Sequence, residues 1–259
     1  MRFIALVSGG KDSCYAMHLT ALDGNELVGL ANLKPEQSGE TDSYMYQTVG
    51  QDAIDLYSEA MEVPLFQRTI KGRPLNQEME YENCVDGDEV EDLYELLADI
   101  KKSVSYEAVS CGAIHSNYQR VRAENVCERL GVKLLSPLWG REQGSLLKEM
   151  IDSKIEAILI KVAAMGLDPS KHLGKTIAQM YDELCVLRDK FGINVCGEGG
   201  EYETLTLDCP LFKKRIIIDQ QEIVQHGHTM DEFAPVAYIQ PIKMSLNEKI
   251  IKNGNGKAS

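Results

Sequence analysis

Apolar blocks alternate with amphipathic segments along the first half of the chain. Short apolar runs, such as Phe3 to Val7, are typical of strands buried on both faces of a parallel sheet. The pattern predicts five such strands, at residues 3–7, 27–33, 65–70, 108–114 and 133–138. Apolar positions at spacings of three and four predict the intervening helices, at residues 11–22, 43–61, 90–100 and 117–130. This alternation indicates an α/β fold, a Rossmann-like open parallel sheet with helices on both faces.

The pattern is less regular in the second half of the chain. It predicts helices at residues 146–151 and 175–190, and strands at residues 157–162, 205–207 and 215–218. We therefore divide the chain into a first domain at residues 1–140 and a smaller α/β C-terminal domain at residues 141–245. Residues 246–259 carry Asn-Gly pairs and little apolar surface, which predicts a disordered tail.

Charge and cysteine content narrow the class of protein. With 40 acidic and 27 basic side chains the net charge is −13, which disfavours stable binding to nucleic acid and favours a basic protein partner. No apolar stretch approaches the roughly 20 residues of a membrane span, and no leader precedes the first strand, so we expect no membrane contact and a cytoplasmic location. The seven cysteines contain no C-x-x-C pair, so we expect reduced thiols and disfavour sulfur transfer to RNA.

The turn between the first strand and the first helix is a candidate phosphate-binding loop. Two glycines let the backbone approach a ligand closely, while hydroxyls, a lysine and the N–H groups of a helix start suit an anion. The loop lies at the carboxyl end of a strand, where open parallel sheets bind ligands, and the polar run after Ile114 lies at the same edge. The spacing does not fit a Walker A motif. The loop sequence is Ser8-Gly9-Gly10-Lys11-Asp12-Ser13.

A second candidate site is a cluster of three carboxylates around a glycine pair. Glu198, Glu201 and Glu203 flank Gly199-Gly200, and glycines allow a sharp turn that aims carboxylates into a cleft. Such carboxylates are suited to bind a cationic group or to accept a proton from an attacking amine. A solvated acidic loop is the alternative interpretation in so acidic a chain.

The phosphate-binding loop resembles the Ser-Gly-Gly-x-Asp-Ser signature of the ATP pyrophosphatase (PP-loop) superfamily. Several motifs in the same order resemble one family within it, the diphthine–ammonia ligases, also called diphthamide synthetases. The similarity extends over roughly residues 1–240. The further motifs are Cys111-Gly112-Ala113-Ile114, Gly166-Leu167-Asp168, Leu173-Gly174-Lys175 and Glu198-Gly199-Gly200-Glu201-Tyr202-Glu203-Thr204.

The resemblance implies a fold, a reaction and its partners. The fold is an adenine nucleotide alpha hydrolase-like sheet domain followed by a smaller domain. The reaction uses ATP and Mg²⁺ to adenylate the diphthine carboxylate of translation elongation factor 2, and ammonia then displaces AMP. A PP-loop ligase acting on tRNA and a non-catalytic ATP sensor are the alternatives.

The resemblance also implies roles for individual residues. Cofactor binding is expected of Ser8, Gly9, Gly10, Lys11, Asp12, Ser13, Gly112, Ala113 and Ile114. A catalytic role is expected of Lys11, Glu198, Glu201 and Glu203. Substrate contacts are expected of Gly199, Gly200, Tyr202, Thr204 and Lys175. Asp12 either caps the first helix or holds magnesium, and the glutamates bind either ammonium or the diphthine trimethylammonium group, the latter aided by Tyr202 or Trp139.

Overall fold

The protein is described here by a computed structural model, which covers residues 1–35, 50–76, 78, 80–81, 84–225 and 234–249. Its first half contains a parallel sheet of five strands, as the sequence predicts. The predicted strands at 108–114 and 133–138 are shorter in the structure, because the chain leaves the sheet after residues 110 and 135. The strands are β1 (Arg2–Leu6), β2 (Glu26–Lys34), β3 (Leu65–Thr69), β4 (Ala108–Ser110) and β5 (Lys133–Leu135).

Four helices connect these strands. Residues 43–49 of the predicted second helix lie outside the described residues, and a 3₁₀ turn at Gln51–Ala53 leads into the remainder. Asp88 caps the third helix by accepting a hydrogen bond from the backbone N–H of Val90. The helices are α1 (Lys11–Leu22), α2 (Ile54–Met61), α3 (Glu89–Ser103) and α4 (Asn117–Leu130).

The strand order creates a crevice beside β1. The order is β3-β2-β1-β4-β5, so the chain leaves β1 towards β2 on one side and later returns to β4 on the other. The loops after β1 and β4 therefore diverge at the carboxyl edge of the sheet, which is where open α/β sheets bind ligands.

The second half of the chain forms a four-stranded antiparallel sheet with helices packed beside it. Its strand order is β7-β6-β9-β8. The last strand in the chain, at residues 237–248, is absent from the sequence prediction. It extends beyond residue 246, where the sequence predicts the start of the tail. Residues 250–259 lie outside the described part. The elements are α5 (Gln143–Asp152), β6 (Glu156–Val162), α6 (Pro169–His172), α7 (Ile177–Phe191), β7 (Tyr202–Asp208), β8 (Lys214–Gln225) and β9 (Ala237–Glu248).

The two sheets share a continuous hydrophobic core. Tyr57 of α2 packs edge-on against Phe212 of the second half, with ring centroids 5.0 Å apart, and both side chains are buried. Strand β7 is the edge of its sheet, and its free side faces the loop after β1. Among the described residues, no helix has the length and apolar character needed to cross a membrane.

Candidate active site

A cleft opens at the carboxyl ends of β1, β2 and β4. Its volume is about 340 Å³, within the range of roughly 300–1,000 Å³ that small-molecule sites occupy. The loops after β1 and β4 form one wall, and residues 196–204 leading into β7 form the other. The fold thus brings together the phosphate-binding loop and the glutamate-rich segment, which lie far apart in the sequence.

The loop between β1 and α1 is braced by its own hydroxyl groups. Ser13 donates a hydrogen bond to the Gly10 carbonyl at 3.0 Å and accepts one from the Ser8 backbone N–H at 3.3 Å. The Ser8 hydroxyl accepts a hydrogen bond from the Gly10 N–H at 3.3 Å. Both serines line the cleft, so polar groups and the start of a helix converge there, as an anion site requires.

Gly112, after β4, approaches this loop too closely for any side chain. A Cβ atom at this position would lie 2.7 Å from the Ser13 backbone nitrogen and 2.8 Å from the Asp12 carbonyl carbon. Gly112 and Ala113 line the cleft. Ile114, which the resemblance also assigned to the cofactor, is instead fully buried in the hydrophobic core.

Gly9 connects the loop to the second sheet. Its φ of 91° lies in the left-handed region that favours glycine. Its carbonyl accepts hydrogen bonds from the Thr206 backbone N–H and from the Tyr57 hydroxyl, both at 2.8 Å. The Gly9 carbonyl therefore binds β7 and α2, while Gly10 is the N-cap residue of α1.

Lys11 is buried rather than extended into solvent, with only 2% of its surface exposed. Its ammonium donates hydrogen bonds to the Cys196 carbonyl at 2.5 Å and to Asp12 at 2.8 Å. Burial by itself would lower the pKa of Lys11, but the charge of Asp12 and the nearby Tyr202 and Cys196 raise it above its ordinary value. The lysine expected to bind phosphate thus ties the loop to the glutamate-rich segment.

Asp12 lines the cleft at the first turn of α1. One oxygen, Oδ2, pairs with Lys11, while Oδ1 is buried and has no hydrogen-bond partner among the described residues. The N-cap residue is Gly10 and no side chain caps the helix there, so the capping alternative for Asp12 is wrong. No group of three or more His, Cys, Asp or Glu side chains in the described part of the chain is placed to hold a metal ion.

Glu198 faces the loop from the opposite wall of the cleft. Its Oε2 accepts a hydrogen bond from the His115 backbone N–H at 3.0 Å. Burial, followed by the negative charge of Asp12, raises the pKa of Glu198 above its ordinary value. A carboxylate with a raised pKa in a cleft is a candidate for proton transfer.

The other two glutamates differ in their placement. Glu203 lines the cleft and pairs with the Lys161 ammonium at 3.0 Å. Glu201 instead holds its own loop together: its carboxylate accepts backbone N–H bonds from Asn194 at 2.7 Å and Gly199 at 2.8 Å. Because these two donors engage both of its oxygens, Glu201 belongs to the framework of the loop rather than to the cleft surface.

The predicted substrate residues divide in the same way. Gly200, Tyr202 and Thr204 line the cleft. Gly199 and Lys175 do not belong to the lining that the described residues form. The Lys175 carbonyl accepts a hydrogen bond from the Leu159 N–H at 2.9 Å.

Both aromatic rings considered for the trimethylammonium group already have cationic neighbours. The Lys11 ammonium lies 5.3 Å from the centroid of the Tyr202 ring, whose hydroxyl donates to the Val195 carbonyl. The Arg120 guanidinium lies 4.5 Å from the Trp139 ring centroid.

An apolar end of the cleft was not predicted from the sequence. Its side chains belong to helical and strand faces that the hydrophobic pattern assigns to the core, so pattern alone does not separate them from buried positions. A polar residue within a buried strand was the available signal: Asn32 donates to the Val7 carbonyl at 2.9 Å and lines the cleft. The apolar lining residues from β2, α3 and α4 are Ala31, Leu33, Leu93, Leu96 and Ala123.

The parallel sheet, its switch-point cleft and the loop after β1 define a protein of the PP-loop superfamily. The diphthamide synthase N-terminal domain family matches residues 1–134, and the diphthamide synthase C-terminal domain family matches residues 142–233. The chain therefore belongs to the diphthine–ammonia ligase family.

Two relatives illustrate this similarity. Human diphthine–ammonia ligase is 57% identical over 254 residues, covering 96% of this chain and 94% of that protein. The zebrafish diphthine–ammonia ligase is 55% identical over 252 residues, covering 96% and 98%. Among solved structures, a predicted tRNA methyltransferase subunit from Methanocaldococcus jannaschii overlaps at a TM-score of 0.36 and 15% identity, covering 81% of this chain and 98% of that chain.

Proposed function

We propose that this chain transfers AMP from ATP to the carboxylate of diphthine on translation elongation factor 2 and then forms diphthamide with ammonia. The observation that carries the proposal is that the PP-loop and the glutamate-rich segment line one cleft. The names of the relatives, diphthine–ammonia ligases, support diphthine and ammonia as the two groups joined. In this proposal residues 1–140 bind ATP and residues 141–245 receive the protein substrate.

ATP would lie along the cleft from its apolar to its polar end. The apolar side chains that β2, α3 and α4 contribute to the cleft suit the purine, which buries a flat, largely apolar surface. Ser8, Ser13 and the start of α1 suit the phosphates. This orientation leaves the α-phosphate between the loop and Glu198.

Adenylation makes the carboxylate reactive towards ammonia. A carboxylate oxygen attacks the α-phosphorus, the bond to the β-phosphate oxygen breaks, and pyrophosphate leaves. Ammonia then attacks the carbonyl carbon, loses a proton and expels AMP, which keeps the former carboxylate oxygen. Preorganised donors in the loop would stabilise the charge that develops on pyrophosphate.

Asp12 fits a role in holding magnesium. Its buried Oδ1 has no hydrogen-bond partner among the described residues, and carboxylate oxygens beside phosphates are the ligands Mg²⁺ uses in nucleotide sites. The ion would supply positive charge to the phosphates. Lys11 contributes by fixing Asp12 through its 2.8 Å ion pair.

Glu198 is our candidate for the proton transfer from ammonia. It lines the cleft opposite the loop, and its raised pKa suits it to accept a proton near neutral pH better than an ordinary carboxylate does. Glu203, held by Lys161, supplies further negative charge suited to ammonium or to the trimethylammonium group.

Product analysis tests this function directly. The chain is incubated with Mg²⁺, ATP, ammonium and elongation factor 2 that carries diphthine, and each component is omitted in turn. We expect AMP and pyrophosphate in equal amounts, with elongation factor lacking diphthine as the matched control that gives neither. Formation of ADP and phosphate would contradict the proposal. AMP release that requires tRNA instead would favour a tRNA ligase, and binding without turnover would favour a sensor.

A further inference from the structure

Tyr57 lies behind the phosphate-binding loop, outside every motif that carries the family resemblance. Its side chain is fully buried on α2. Its hydroxyl lies 2.8 Å from the Gly9 carbonyl oxygen and 2.8 Å from the Thr206 carbonyl oxygen. A phenol carries one hydrogen, so Tyr57 shares it between the loop of the first sheet and the edge strand of the second.

Thr206 completes this arrangement from β7. Its backbone N–H donates to the Gly9 carbonyl at 2.8 Å, and its own carbonyl accepts from Tyr57. The Gly9 carbonyl therefore has two donors, both on the side facing the second sheet. Because β7 is an edge strand, the loop and Tyr57 use backbone groups that no neighbouring strand pairs with.

The direction of one carbonyl fixes the direction of the next N–H group. The described chain contains no cis peptide bond, and in a trans peptide the C=O and the following N–H point in opposite directions. With the Gly9 carbonyl held against β7, the Gly10 N–H is turned to the other side, where it meets the hydroxyl of the cleft-lining Ser8 at 3.3 Å.

We infer that Tyr57 is a positioning residue for pyrophosphate: by holding the Gly9 carbonyl against β7, it keeps the Gly10 N–H on the Ser8 hydroxyl, which lines the anion site. Gly9 itself has a left-handed φ of 91°, so this peptide would have other orientations available without the two donors. The inference rests on the proposed ATP site, and it assigns to the second sheet a part in shaping that site.

Titration of the full chain with Mg²⁺-ATP, pyrophosphate and AMP tests the role of Tyr57. AMP has the nucleoside and the α-phosphate but lacks the pyrophosphate that the Ser8 hydroxyl, held by the Gly10 N–H, would meet. For Tyr57→Phe we expect dissociation constants for ATP and pyrophosphate about three- to tenfold higher, as the loss of one net hydrogen bond implies, with AMP unchanged within about twofold.

Tyr106→Phe is the matched control. Tyr106 is also buried in the first domain, and its hydroxyl also donates to a backbone carbonyl, that of Leu97 at 2.9 Å, but it lies away from the loop. This variant should bind all three ligands as the unmodified chain does. Since only folded molecules bind, the ratio of the pyrophosphate and AMP constants is independent of the folded fraction, so partial unfolding of Tyr57→Phe does not obscure the result.

The outcomes separate this inference from the proposed function. Equal weakening of AMP and pyrophosphate would mean a general structural role for Tyr57 and would overturn the inference, as would unchanged binding of all three ligands. Failure of the unmodified chain to bind either ATP or pyrophosphate would instead overturn the proposed ATP site.

Discussion

The Lys11 ammonium donates a hydrogen bond to the Cys196 carbonyl at 2.5 Å, although the two residues are 185 positions apart in the chain. This bond joins the PP-loop to the segment that begins the glutamate-rich motif. A buried ammonium needs such partners, because an unpaired charge away from water is costly. The lysine of the loop therefore holds the two halves of the cleft in register.

Removal of the Lys11 charge should destabilise the protein. Lys11→Met keeps much of the apolar stem but leaves Asp12 and the Cys196 carbonyl without their donor, and we expect the free energy of unfolding to fall by about 3 kcal/mol. Urea denaturation measures this change. The control is Lys101→Met: Lys101 also donates to a backbone carbonyl and lies near a tyrosine ring, but it is solvent-exposed. An equal loss in both variants would contradict the role of the buried bond.

A single methyl group at Gly112 should disrupt the proposed ATP site. The Cβ of Gly112→Ala would meet backbone atoms of Asp12 and Ser13, so the loop has to shift. We expect ATP affinity to fall at least about tenfold, measured by calorimetry, because overpacking against backbone typically costs 1–3 kcal/mol. Gly144→Ala, in α5 and outside the cleft lining, is the control, since its Cβ would meet only side-chain atoms of Glu142 and Arg188 at 3.2 Å or more. Unaltered ATP affinity in Gly112→Ala would count against the site.

Glu198 should reduce stability at neutral pH. Its pKa is raised above the ordinary 4.5, mainly by burial, so the folded state favours the protonated form and loses stability as the pH rises through the folded-state pKa. Glu198→Gln should therefore be more stable than the unmodified chain at pH 7, and the difference should vanish below pH 4.5. Thermal unfolding across pH measures this, with Glu128→Gln on the exposed face of α4 as the control.

The same Glu198 variant should lose most amide formation. Retention of both activity and the original pH profile would refute the assignment of Glu198 as the proton acceptor.

Replacement of Glu201 should lower the stability of the protein, and it should lower turnover only through the loop that Glu201 holds. Glu201→Gln retains one oxygen acceptor for two backbone donors, at Asn194 and Gly199, and an unmatched donor costs about 1–3 kcal/mol. We expect a lower melting temperature. The activity that remains should depend on how well the altered loop keeps its geometry. Glu142→Gln is the matched comparison, because Glu142 also accepts two backbone N–H bonds, at the start of α5, and turnover should survive there. A Glu201 variant with full stability and no activity would restore its catalytic assignment.

Much of the first sheet was predictable from the sequence because its strands are buried on both faces. The apolar run of β1 and the spacing of α1 each contain their own structural signal. β9 lacked such a signal. Pro241 interrupts it, its solvent-exposed residues break the apolar pattern, and its partner β8 carries register shifts around Gln220. Long antiparallel pairing of this kind depends on the partner strand rather than on local preference.

The candidate site shows the same division. The loop after β1 was recognisable because its glycines, hydroxyl groups and helix start are contiguous in the sequence. Tyr57 was not, since its place on an apolar helix face fits the core equally well, and only the tertiary structure brings its hydroxyl to Gly9. The three glutamates look equivalent in sequence, yet the turn at Gly199-Gly200 directs the Glu201 carboxylate to backbone donors and leaves Glu198 in the cleft.

Oxygen transfer from the substrate carboxylate into AMP tests the proposed chemistry most directly. The diphthine carboxylate is labelled with ¹⁸O, the chain is supplied with unlabelled ATP, Mg²⁺ and ammonium, and the AMP formed is analysed by mass spectrometry. Because adenylation makes a carboxylate oxygen the bridge to the α-phosphorus, we predict one ¹⁸O atom in each AMP formed from doubly labelled substrate. AMP without label, or label recovered in inorganic phosphate, would contradict carboxylate adenylation in this cleft.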